Sequence, residues 1–393
     1  MNTKLLGSSF IIAGTALGAG MLAIPMVLAQ FGLVSGTLLM LLIWLGTTYA
    51  ALLLLESSIK AGGGFSMNTI AKQTLGKSGQ LVTNGLLYAL LICLLMAYII
   101  GAGDLLHKLI TSFNVPISMT QSQVLFTLAA GLIVAAGTST IDKINRAMFS
   151  VMIVLLAFSL VYMAPSISFD NLQQITNSNR SDLIKTSSIL FTSFGFMVVI
   201  PSLVNYNDGA NHKQLRNMVI VGSLIPLFCY LIWLYVVVGN LNTDQLSQFT
   251  NVSDLLAVLS AKYGHISSVL SIFTGLALLT SFLGVAMALF DQNLDTFKQN
   301  RVVTYCISFV LPLLGALFAA NHFLAALNYA GFILVFLAIF IPLAMTIKVR
   351  GNQNTLSNDE AQGTEVAYQA EGGVLALILT FAFGCFLLSA QIS

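Results

Sequence analysis

The sequence predicts an all-α integral membrane protein of about eleven transmembrane helices, on three observations. Only 8% of the 393 residues are charged, against 57% hydrophobic, about a third of the charge density of a soluble domain. Apolar stretches recur from end to end with short polar breaks, and a bilayer needs roughly 20 such residues per helix. The Lys and Arg residues gather on alternate connections. This composition excludes a soluble enzyme, a nucleic-acid binder and a disordered chain, and it calls for a lipid bilayer and no cofactor.

The spans follow in order. The first, 6–30, has only Lys4 before it and is too long for a signal-peptide core, so it reads as a retained helix. Apolar runs then give 34–56, 81–108, 122–138, 147–165, 186–204, 217–240, 266–291, 302–320, 325–347 and 373–391. Lysines and glycines between Lys60 and Gly79 make that stretch an interfacial segment rather than a crossing. Asp359, Glu360, Glu365 and Glu371 lie in a polar connection expected to be a solvated loop without chemistry. Cys93, Cys229, Cys306 and Cys385 sit inside apolar runs, as small packing residues rather than disulfide or metal partners.

Orientation follows from the basic residues. With a cytoplasmic N-terminus, that side holds Lys4, Lys60, Lys72, Lys77, Lys143, Arg146, Lys213, Arg216, Lys298, Arg301, Lys348 and Arg350. The opposite side holds Lys108, Arg180, Lys185 and Lys262. The positive-inside bias therefore predicts a multi-pass membrane protein with its N-terminus cytoplasmic and its C-terminus on the opposite side.

Two spans carry helix breakers in matching places. The first contains Gly14, Gly18 and Gly20 followed by Ile24-Pro25, and the sixth contains Gly195 followed by Ile200-Pro201. Glycine weakens a helix and proline removes a donor, so each segment frees backbone N–H and C=O groups near mid-membrane. Freed groups at that depth survive only where protein or a water-filled cavity satisfies them. Paired interruptions in corresponding halves point to a transporter site. The alternative is packing, with the glycines as a small-residue contact face and the prolines as kinks. Spans one and six are equivalent in a five-plus-five arrangement, and five is odd, so the halves would be inverted.

The residues that carry these breaks resemble the bacterial hydroxy/aromatic amino acid permeases, within the amino-acid/polyamine/organocation superfamily. The similarity rests on Gly7 to Thr15, Gly18 to Pro25, Phe191 to Phe196, Gly101 to Gly103, Thr280 to Val285 and Leu327 to Gly331, and it is nearest to the family's tyrosine-specific transporters. It implies one transport domain, 1–393, with a leucine-transporter-like inverted repeat. Repeat one is about 6–165, repeat two about 186–347, and an extra helix covers about 373–391. It further implies proton-driven symport of an aromatic amino acid, tyrosine foremost, across the bacterial inner membrane, which makes the C-terminal side periplasmic. Tryptophan or phenylalanine transport and sodium coupling remain the alternatives.

By that resemblance, the substrate's α-carboxylate and amino group meet exposed backbone around Thr15, Gly18, Ala19, Gly20 and Met21, and around Ser193 and Gly195. Phe194 and Phe196 are candidates to stack on a substrate ring, a contact worth about 0.5–1.5 kcal/mol beyond burial, or else face lipid. Tyr98 and Tyr329 offer hydroxyls; Tyr329, near a span end, is equally an interface anchor. Thr280 and Ser281 stand where sodium-coupled members of the fold place hydroxyl ligands, or else back-bond to their own helix. Span five has no lysine at the facing cation site, with Met152 near that position.

Asp104 is the deepest ionisable candidate for coupling, either as a proton carrier or paired with Lys108. Glu56 and Asp291 sit near span ends, where solvation is the simpler expectation. The string Gly101-Ala102-Gly103-Asp104 also matches the G-x-G-D of intramembrane aspartyl proteases, but that chemistry needs a second nearby carboxylate, and none lies at comparable depth. His107, His212, His265 and His322 are scattered, so no zinc site is legible.

Overall fold

The computed structural model describes residues 3–62, 65–135, 138–175, 177, 179–242, 246, 249, 251–297, 300–318, 322–356 and 368–392. Asp359, Glu360, Glu365 and Lys298 lie outside the described residues. Every regular element among the described residues is helical, as an apolar solvent demands of a chain that must pair its own backbone.

The first span is two helices, α1 (Thr3–Ala16) and α2 (Gly20–Leu28), with a 56° bend across the break. Next come α3 (Leu33–Lys60), α4 (Met67–Ser112), α5 (Met119–Ala135) and α6 (Thr138–Met163). The sixth span is again divided, into α7 (Ser187–Ser193) and α8 (Ile200–Tyr206). Then follow α9 (His212–Asn240), α10 (Val252–Lys262), α11 (Ser267–Phe297), α12 (Arg301–Phe318), α13 (Phe323–Val335), α14 (Ile341–Leu356) and α15 (Gly373–Ile392). A π-helical turn, Phe336–Phe340, joins α13 to α14. Eight helical stretches among the described residues are long and apolar enough to cross a membrane, nine if the bent pair crosses as one, and Met119–Val134 and Val302–Phe318 are shorter apolar helices.

In α4, Gly76 interrupts the helix with φ +77° and ψ −170°. Only glycine adopts that backbone without strain, so Met67–Leu75 leaves the axis of the long helix, within the stretch expected to be interfacial.

Spans seven and ten hold the divided helices in place. Asn211 opens α9 with a reciprocal capping box to Gln214. Along α9, Gly222 lets α1 approach so closely that a Cβ there would sit 2.7 Å from Ile12 Cβ, the small-residue packing expected between membrane helices. Ser9 donates to Met218 O (3.0 Å), and Asn207 donates to Ser8 Oγ (2.8 Å). Trp44 and Thr48 of α3 both donate to Ser223 Oγ, at 3.2 and 3.1 Å. On the other flank Gly331 of α13 lies directly against α7, where Ser188 donates to Asn328 O and Thr192 donates to Leu327 O, each at 3.1 Å. Meanwhile α11 packs between α4 and α6.

The expectation of a solvated Glu56 is corrected. Its carboxylate is fully buried and accepts from Lys60 Nζ (2.8 Å), from Arg350 Nε (2.9 Å) and Nη2 (2.6 Å), and from the Ala370 N–H (2.9 Å). Two cations and a backbone donor together offset the cost of removing the carboxylate from water. The described end of the acidic connection is mixed: Gln369 and Glu371 are exposed, as expected of a solvated loop, while neighbouring residues are tied to the helices. Tyr368 and Ala370 are buried, Tyr49 donates to Glu371 O (2.7 Å), and Glu371 pairs with Arg216. Burial pushes the Tyr368 phenol up to about 12.

Glu56→Gln leaves Arg350 and Lys60 without their shared anion, and breaking a buried pair costs about 3–5 kcal/mol. A large fall in the melting temperature of the purified protein in detergent is expected; an unchanged melt would show that this cluster does not hold α3 to α14.

Candidate functional site

Both breaks arise from local sequence. The α1 ladder ends where the Leu17 N–H reaches Ala13 O (2.8 Å). It resumes as short turns, with Met21 N–H to Gly18 O and Leu22 N–H to Ala19 O, both 3.2 Å. The Gly18 N–H falls in the gap without a backbone acceptor among the described residues. In the sixth span, Phe194 and Gly195 bond back to Phe191 O and Thr192 O (both 3.1 Å), and Phe196 N–H turns tightly onto Phe194 O (2.8 Å). A 3₁₀ turn, Met197–Val199, leads into α8. Pro201 lies in the first turn of α8, where a missing donor costs nothing, so it starts a helix rather than kinking one.

The two breaks touch. Ser193 Oγ donates to Gly20 O (3.0 Å), and a Cβ on Gly20 would stand 2.9 Å from Ser193 Cα. Only glycine permits that backbone approach. On the opposite side, Ala19 N–H donates to Ser281 Oγ (3.2 Å), and a Cβ on Gly18 would collide with the same oxygen. Ser281 in turn donates to Ala277 O (2.8 Å), while Thr280 donates to Leu276 O (2.8 Å). Thus α11 supplies a partner for the N–H of Ala19, the N-cap residue of α2, a donor orphaned at any helix start. Tyr98 is buried on α4, and its hydroxyl interacts with the Ser281 side chain.

A residue that sequence reasoning passed over holds the centre. Tyr230 of α9 is fully buried, and its hydroxyl donates toward Ala16 O at 2.6 Å and Ser193 O at 2.7 Å, the terminal carbonyls of α1 and α7. Its ring meets Phe194 edge to face, with centroids 5.0 Å apart. The available signal is a tyrosine deep in span seven, since a buried phenol requires a partner.

The remaining candidates divide. Gly18, Ala19, Gly20, Ser193, Tyr98 and Ser281 come together, and Phe194 joins them through Tyr230. Met21 and Phe196 are fully buried in the same core, and Gly195 faces Leu334 of α13. Thr15 lies on the exposed face of α1 and donates to its own Ile11 O (2.8 Å). Tyr329 stands apart, 63% exposed. Met152 is fully buried on α6.

Asp104 sits at the far end of α4, 6% exposed, and accepts the Ser253 N–H (3.2 Å) in the first turn of α10. A carboxylate there completes a helix N-terminus. Lys108 pairs with Asp254 (3.3 Å) instead of with Asp104. The other end of α10 is tied to α9, where Lys262 Nζ donates to Asn240 O (2.6 Å) and Tyr263 donates to the Asn240 side chain. Burial lowers the Lys262 ammonium below its usual range.

A methyl group at Gly20 meets backbone, whereas one at Gly18 meets a hydroxyl tip that can turn aside. Gly20→Ala is therefore expected to cost about 1–3 kcal/mol of stability, and Gly18→Ala less. Thermal melts of the two variants check the order, and equal melts would contradict the close approach at Gly20.

Comparison with known proteins agrees with this architecture. The profile of the tryptophan/tyrosine permease family matches residues 1–391. The chain is 56% identical to glutamine transporter 2 of Aliivibrio fischeri over 392 residues, covering 100% of both chains. It is 35% identical to tyrosine-specific transport system 1 of Haemophilus influenzae, over 98% of this chain and 96% of that one. A tryptophan-specific transport protein of Pseudomonas aeruginosa shares 30% identity, over 97% and 92% of the two chains. These relatives are transport proteins, so the protease reading of Gly101 to Asp104 is set aside. With its apolar helices and two touching breaks, this multi-pass membrane protein belongs to the tryptophan/tyrosine permease family.

Proposed function

We propose that the protein is a secondary carrier that imports a neutral L-amino acid across the inner membrane by proton symport and alternating access. Eleven crossings form two inverted five-helix repeats and one C-terminal helix, with the N-terminus cytoplasmic and the C-terminus periplasmic. The observation that carries this reading is the meeting of the two breaks at Ser193 and Gly20, next to the Gly18 N–H, which has no backbone acceptor among the described residues. Backbone donors at the start of α2 suit the substrate carboxylate, and terminal carbonyls of α1 and α7 suit its ammonium group.

L-Glutamine is the first substrate of this reading, supported by 56% identity along the whole chain to a protein named a glutamine transporter. Phe194 is already engaged by Tyr230, which weakens the case for it as a platform for a substrate ring. L-Tyrosine is the second reading, favoured by the family match and by the 35% identical relative. Of the coupling candidates, Asp104 is the ionisable one, and its hydrogen bond to Ser253 equally suits a clasp on α10. Thr280 and Ser281 are engaged with their own helix and with Ala19.

Uptake of radiolabelled glutamine and tyrosine into proteoliposomes, each challenged by the other unlabelled, tests the substrate. Glutamine is expected to accumulate under an inward proton gradient and to resist tyrosine competition. The reverse order would restore the tyrosine reading, and no accumulation under a proton or sodium gradient would remove coupled transport.

Asp104→Asn separates the two roles of that carboxyl. An amide oxygen still accepts the Ser253 N–H, so a clasp predicts gradient-driven uptake within about twofold of wild type for Asn and a larger loss for Ala. Loss of accumulation in Asp104→Asn with exchange intact would instead identify Asp104 as the proton carrier.

A further inference from the structure

We propose that the Tyr230 hydroxyl is a resident, uncharged substitute for a cation between the two broken helices, holding them together without a metal ion at that point. The proposal rests on the carrier reading above and concerns how its central site is kept assembled.

Ala16 closes α1 and Ser193 closes α7, so their carbonyls are the negative ends of two helix dipoles. Both point at one oxygen, at 2.6 and 2.7 Å. Two such carbonyls repel unless something positive lies between them, and in carriers with discontinuous helices that something is a coupling cation. Here the positive element is a single phenolic hydrogen. Tyr230 is fully buried, with its ring packed edge to face on Phe194, so the hydroxyl has no room to swing away and leave the position to an ion.

The hydroxyl pair on α11 is committed as well. Ser281 Oγ faces the Ala19 N–H and gives its own hydrogen to Ala277 O, and Thr280 gives its hydrogen to Leu276 O. A metal ion beside Ser281 would confront the hydrogen of Ala19. Both places where unwound backbone would recruit an ion are therefore answered by protein hydrogens.

One consequence concerns the substrate. A phenol has one hydrogen to give and two carbonyls to serve, so the pair of breaks is always one donor short. A substrate ammonium, rich in donors, completes the set. Tyr230 is thus a positioning residue, acting through the carbonyls of Ala16 and Ser193.

The test compares wild type with Tyr230→Phe, which keeps the ring and removes only the hydroxyl. Initial rates of glutamine and tyrosine uptake are measured in proteoliposomes in sodium medium and in choline medium, with the same imposed pH gradient. Saturable binding of radioactive sodium to the purified wild type is measured in parallel. Wild type is expected to transport equally in both media and to bind no sodium saturably. Tyr230→Phe is expected to lose about tenfold in choline, the scale of one unmade buried hydrogen bond, and to recover part of that loss in sodium, which can enter the vacated position. A size-exclusion profile like that of wild type establishes that the variant is folded. Saturable sodium binding by wild type, a sodium requirement for its uptake, or wild-type rates for Tyr230→Phe in choline would each overturn the proposal. If wild type transports neither amino acid, the carrier reading has failed at its substrate, and the sodium-binding measurement on wild type still decides this proposal.

Discussion

Everything near the centre of this protein answers one constraint. Two helices are interrupted inside a chain built for an apolar solvent, and the backbone groups they release must find partners within the protein. A buried amide or carbonyl without a partner costs about 1–3 kcal/mol, so the breaks persist only because other helices come to them. Span seven brings the Tyr230 hydroxyl to the carbonyls of Ala16 and Ser193, and span eight brings Ser281 to the Ala19 N–H. The breaks also serve each other through Ser193 and Gly20. Glycines at 20, 222 and 331 are where the helix backbones press together closely enough for these short reaches.

Charge is handled by moving it to the ends. At one end Glu56 gathers Lys60, Arg350 and the Ala370 N–H into a buried cluster, and Arg216 with Glu371 extends it outward. At the other, Asp104, Lys108 and Asp254 surround the start of α10, and Lys262 secures its finish. Between the two, the contacts at the breaks are made by hydroxyls and backbone. An ionised group there would need a counter-charge to offset its desolvation, whereas a hydroxyl needs only a hydrogen-bond partner.

Family membership and substrate choice are different kinds of statement. Relatives with glutamine, tyrosine and tryptophan in their names are similar to this sequence along almost their whole length. Those substrates have the α-ammonium and α-carboxylate in common, groups suited to the backbone at helix ends. What differs among them is the side chain, and discrimination there rests on the few residues that would leave a wrong side chain unsatisfied or crowded. A match over residues 1–391 therefore carries the architecture much further than it carries the substrate.

The membrane class, the helical spans and both interruptions were legible in the sequence, because hydrophobicity, Gly and Pro act through the local backbone. Gly18, Gly20 and Ile200-Pro201 lie where the ladders break or restart, whereas Ile24-Pro25 falls inside α2, and span length needs no partner to be read. The satisfaction of those breaks was not legible. Tyr230 is 214 residues from Ala16, and Ser281 is 262 from Ala19, so nothing in the local pattern distinguishes them from other tyrosines and serines. Glu56 and Asp104 show the same limit: each was visible as a charge near a span end, yet its partners Arg350, Ala370 and Ser253 come from distant segments. The sequence by itself determined where the backbone would come apart; only the tertiary structure decided what would hold it, because a hydrogen-bond partner is chosen by proximity in space.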